Sequence, residues 1–98
     1  MKLNLRPAVK LPAWADDDHN WKMLEVETAE WCFETCIELL IKDAVIGCET
    51  KVQVLQCIVY DSRDRSWTFP EVVAYYMRLA RPKEFKQLCL DHARRSTT

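Results

Sequence analysis

Residues 28–47 read TAEWCFETCIELLIKDAVIG, the longest uninterrupted helical pattern in the chain. Phe33, Cys36 or Ile37, Leu40 and Ala44 follow the i, i+3, i+4, i+7 spacing of a buried helical face. Cys32, Leu39 and Ile46 widen that face beyond one stripe, so neighbours are expected to cover it on more than one side. Thr28 suits an N-cap, and Glu30 suits the positive end of the helix dipole. Gly47, the only glycine, stands where a left-handed C-cap is expected. The stretch predicts one central helix and an all-α fold.

Toward the N-terminus, residues 21–27 (WKMLEVE) suit either a helix running into the central one or a short separate segment. The weak helix formers Val26 and Thr28 favour a separate segment. Asp16 to Asn20 read as an acidic polar turn, a solvated loop or an N-cap cluster. The turn lacks the alternating ligands and distal Glu of a calcium loop. Residues 1–15, MKLNLRPAVKLPAWA, read as an extended arm, because Pro7 and Pro12 oppose helix.

Toward the C-terminus, Thr50-Lys51-Val52-Gln53 matches a capping box and predicts a second helix. Val52, Leu55, Cys57, Ile58 and Val59 are its candidate core residues. The β-branched run VQVLQCIVY keeps a strand as the rival. Asp61 to Arg65 read as a charged turn. Thr68 and Glu71 then form a second capping box, with Pro70 in the first turn and Trp67 and Val72 placed for a hydrophobic staple. That helix runs to about Ala80, and Arg81-Pro82 breaks it. A last helix follows from Lys83 to about Arg95, with an apolar face of Phe85, Leu88, Cys89, His92 and Ala93.

The expected architecture is a small three- to four-helix bundle with an extended N-terminal arm. It forms a single helical domain over 1–98, with arm and acidic turn in 1–20 and the helical core in 28–95. Ninety-eight residues suit one modest core, and one glycine argues against a turn-rich β fold. No run of ~18 apolar residues suggests a membrane span, and no signal peptide is read. Five cysteines without a secretion signal suggest reduced thiols packed as small hydrophobes in a cytoplasmic protein. Charge is uneven: residues 1–65 carry 8 basic against 12 acidic side chains, and residues 66–98 carry 6 against 3.

Three chemical constellations compete with plain packing. Cys32 and Cys36 (i, i+4) with Cys89 and His92 (i, i+3) offer four soft ligands, yet each pair lies on an apolar face that a core would claim. Cys89 with His92 resembles a nucleophile pair, but no glycine-rich turn offers an oxyanion hole. No metal, cofactor or catalytic residue is therefore assigned. The two helices around Arg81-Pro82 resemble a helix-turn-helix in outline, with Lys83, Lys86, Arg94 and Arg95 as phosphate contacts.

The aromatics point to protein binding. Trp67, Phe69, Pro70, Tyr75 and Arg78 lie at the start or on the less buried side of one helix, and hot spots favour Trp, Tyr and Arg. An exposed Phe69-Pro70 bond is also a substrate type for a prolyl isomerase. The chain, with its opening LPAWADDDHNW (11–21) and its WTFPE turn (67–71), resembles the small anti-RecBCD proteins of lambdoid phages. The resemblance implies docking on a host recombination nuclease, a host prolyl isomerase as co-partner, and Pro70 with its neighbours as contacts. The expected function is non-catalytic binding that modulates or inhibits another protein. The alternative is a small DNA-binding regulator.

Overall fold

A computed structural model describes residues 18–97, with side-chain surroundings from 20 to 95. The expected arm, and Asp16 and Asp17 of the acidic turn, lie outside the described residues. Among the described residues five helices follow one another: α1 (Asp18–Trp31), α2 (Phe33–Leu40), α3 (Lys51–Arg65), α4 (Phe69–Ala80) and α5 (Pro82–Thr97). There is no strand among the described residues, so the rival reading of 51–60 falls away. None of these helices is long and apolar enough to cross a membrane.

The central helix expected over 28–47 is two pieces, which raises the expected count of helices to five. Residues 18–20 are helical rather than a turn, and 21–27 continue without a break into Thr28. Packing overrides the weak propensities of Val26 and Thr28: Leu24, Thr28 and Ala29 form one buried face at i, i+4, i+5. Thr28 is thus interior to α1 and caps nothing. The break comes at Cys32 (φ −119°, ψ 44°). Its amide donates to the Thr28 carbonyl at 2.9 Å, and its thiol to the same oxygen at 3.0 Å.

Helix α2 buries Cys36, Ile37 and Leu40 and then stops, seven residues before Gly47. Arg81, far along the chain, fixes that end. Its Nε donates to the Leu39 carbonyl at 3.2 Å and pairs with the Asp43 carboxylate at 3.1 Å. Lys42 takes a left-handed conformation (φ 63°), and its amide reaches the Cys48 carbonyl at 2.7 Å. Gly47 is left-handed as expected (φ 74°), but it closes this loop onto the Asp43 carbonyl at 2.8 Å instead of ending a helix.

Both capping boxes form, at Thr50 with Gln53 and at Thr68 with Glu71. Asp61 to Arg65, expected as a turn, are the last turn of α3, which ends at a left-handed Ser66 (φ 58°). The core phase of α3 also differs: Val54 and Ile58 are buried, whereas Val52 is 63% and Val59 37% exposed. Apolar residues lie all round this helix, so periodicity alone does not choose its inner face.

The molecule is organised around α4 rather than the 28–47 stretch. Helix α4 buries Val72, Val73, Ala74, Tyr76 and Met77 and packs on each of the other four helices. Arg81 alone links it to α5, which buries Phe85, Cys89, Leu90 and Ala93. Trp21 meets Lys86 and Trp31 meets Arg95, so α5 runs beside α1 in the same direction.

A candidate partner-binding surface

The tight link between α3 and α4 places the aromatic cluster. The Trp67 amide caps α3 by donating to the Ser62 carbonyl at 3.0 Å, and the Ser62 hydroxyl donates to the Trp67 carbonyl. Held this way, the Trp67 ring meets Tyr75 edge-on, with centroids 5.8 Å apart at 74°. The Arg65 guanidinium stands 5.0 Å from both rings.

One helical turn further along α4, Arg78 reaches α1 and donates to Glu25 Oε1 at 2.9 Å. Glu25 is buried, so this contact satisfies a carboxylate that burial would otherwise penalise. Trp67, Tyr75 and Arg78 thus meet around one cleft of about 240 Å³, closed on the other side by Lys22 and Val26 of α1. Phe69 and Pro70 do not line it. They form the head of α4, where Phe69 is 48% exposed and Pro70 half-buried.

The four basic residues of α5 make different contacts. Lys83 and Lys86 line a second cleft of about 490 Å³ with Trp21, Pro82 and Phe85. The Lys86 ammonium lies 4.6 Å from the Trp21 ring centroid. Arg95 covers Trp31 at 4.9 Å, ten residues and about 15 Å along α1 from Trp21. Arg94 faces Asp91 at 3.9 Å. Around α5, Lys83, Lys86 and Arg94 fall within about 80° of one another, and Arg95 turns away onto Trp31.

The cysteines are placed as small hydrophobes. Cys36 and Cys89 are fully buried, and the Cys32 and Cys36 thiols are 3.8 Å apart. A hydrogen bond to Cys32, together with burial, pushes the Cys36 thiol far above the usual range. Burial pushes Cys89 up to about 12. Thiols held protonated at neutral pH are poor nucleophiles, whereas the hydrogen bond with Cys36 lowers the half-buried Cys32 thiol. His92 turns its ring onto Trp31, with centroids 5.1 Å apart. Among the described residues, no group of three or more His, Cys, Asp or Glu side chains is placed to hold a metal. Between the 41–50 link and α3, Cys48 and Cys57 touch at 3.3 Å, and burial raises Cys48 to about 11. The Tyr76 hydroxyl donates there to the Asp61 carboxylate.

Among the members of the aromatic surface that sequence reading missed are Lys22, Glu25, Val26 and Arg65. Lys22 and Glu25 lie in a segment whose helical phase was open, and Arg65 was assigned to a turn. The acidic Glu25 between Leu24 and Val26 was the one available signal, since a carboxylate on a core-facing position calls for a basic partner.

No protein-family model, curated protein or solved structure matches this chain.

Proposed function

We propose that this protein acts by binding another protein through the head and outer face of α4, modulating or inhibiting that partner without chemistry of its own. The observation that carries the reading is the Trp67–Tyr75–Arg65 cluster beside Arg78. It joins the residue types that dominate interface energetics on one half-exposed face. The finer reading is a phage-encoded modulator of a host recombination nuclease acting in the cytoplasm. It rests on the resemblance of the 11–21 and 67–71 segments. In it, the half-exposed Phe69-Pro70 bond is the point a host prolyl isomerase would grip.

Affinity capture from nuclease-treated bacterial lysate, read by mass spectrometry, tests this reading. The expected result is a stoichiometric host protein whose capture falls with Phe69→Ala and Tyr75→Ala. Unchanged capture after Pro70→Ala removes the isomerase from the account. An empty capture that fills only when nuclease is omitted overturns the reading. That result supports the second one, a helix-turn-helix-like DNA-binding regulator using Lys83 and Lys86 beside Trp21.

A further inference from the structure

The two clefts described above are one surface. They share Lys22 of α1 and Arg78 of α4 as a common wall. Five cations stand along it: Arg65, Lys22, Arg78, Lys83 and Lys86. Two acids line it, and both are engaged. Glu25 accepts from Arg78 at 2.9 Å. Glu71 accepts from the Thr68 amide at 2.8 Å and hydroxyl at 2.9 Å in the capping box. The chain as a whole carries a net charge of −1, so this basic face stands out against its background.

We infer that this face binds an acidic segment of a partner protein, one that inserts an aromatic or long aliphatic side chain into the cleft against Pro82 and Phe85, leaving Lys86 on Trp21. The inference deepens the partner-binding reading and rests on it. The larger cleft, about 490 Å³, is a half-open groove with apolar walls and a charged rim, which suits one side chain of a bound segment. Carboxylates flanking the anchor meet Lys22, Lys83 and Lys86. Nucleic acid fits less well. Single strands bind by stacking bases on open aromatic faces, whereas Lys86 already sits on Trp21 and Arg65 on Trp67. A base has to displace those cations. A carboxylate adds to them.

The test is a selection of short random peptides displayed on phage against the full chain. Enriched peptides are then synthesised and titrated by fluorescence anisotropy. The comparison protein is Lys22→Glu/Lys83→Glu. Both residues are exposed, and Lys83 lies in the first turn of α5, where a carboxylate suits the dipole, so the variant is expected to stay folded, checked by its thermal midpoint. The expected consensus is Asp or Glu around one aromatic or aliphatic anchor, with affinity falling on the order of tenfold in the variant and with added salt. A neutral or basic consensus, no enrichment, or equal binding to the variant overturns the inference. So does tighter binding of a single-stranded DNA of equal length. If those outcomes appear while Phe69→Ala still abolishes partner capture, the partner-binding reading stands and the acidic segment alone is wrong.

Discussion

Thr28 shows how one atom can be misplaced by a local rule. Its hydroxyl suits an N-cap on paper, yet the residue is fully enclosed inside α1, and its Oγ1 meets no stronger partner among the described residues than the Cys89 thiol. A buried hydroxyl with so weak a partner loses its hydration for little return. Thr28→Val keeps the shape and removes the oxygen, so it is expected to raise stability by up to about 1 kcal/mol, read from urea unfolding. Tyr76 is the converse case. Its hydroxyl serves both the Asp61 carboxylate and, at 3.3 Å, the Cys57 carbonyl. Tyr76→Phe is expected to lower stability by roughly 1 to 2 kcal/mol in the same assay. Neither fate can be read from the neighbouring letters, because burial and partners come from helices brought together across the chain.

The helices divide by whether their ends are set locally or from afar. Both capping boxes were legible, since each is closed by residues three apart in sequence. Thr68→Ala is expected to cost about 1 kcal/mol, seen as a lower urea midpoint with unchanged slope. The end of α4 at Ala80, before Arg81-Pro82, was legible too, but the C-termini of α2 and α3 were not. Helix α2 ends where Arg81 claims the Leu39 carbonyl and Asp43, a contact spanning some forty residues. Helix α3 ends on a serine in the left-handed region, where glycine is the usual residue. Ser66→Gly relieves that backbone and is expected to stabilise by about 0.5 to 1 kcal/mol, with Lys42→Gly behaving alike. The break at Cys32 carries no sequence mark at all, and reading through it is what turned two helices into one.

At the scale of the whole molecule, the all-helical fold was legible from periodicity, caps and the scarcity of glycine. Its centre was not. The 28–47 stretch is the longest pattern, but α4 is the element that touches all the others, and centrality is a property of the assembly. The cation-lined face was half legible: the basic bias of residues 66–98 was plain, but its junction with Lys22 and Arg65 required the fold. Titration also belongs to this scale. Burial raises Cys89 to about 12 and Cys48 to about 11, and it lifts Tyr76 above its usual range. Each group is held neutral in the fold and ionises more readily when unfolded. Their stabilisation is therefore complete below the ordinary thiol range near ~8.5 and is lost as pH climbs through the raised values. Urea midpoints are expected to hold at pH ~8 and to fall progressively from pH ~9 to ~12; a flat profile contradicts the burial described. The central position of α4 also has a consequence in time. On the ribosome α1 and α2 emerge first, while the helix that covers both begins only at Phe69. At synthesis rates of about 5 to 20 residues per second, the apolar faces of the first two helices wait roughly 2 to 8 s for their cover. For those seconds they are open to chaperones, to other nascent chains, or to a partner that arrives early.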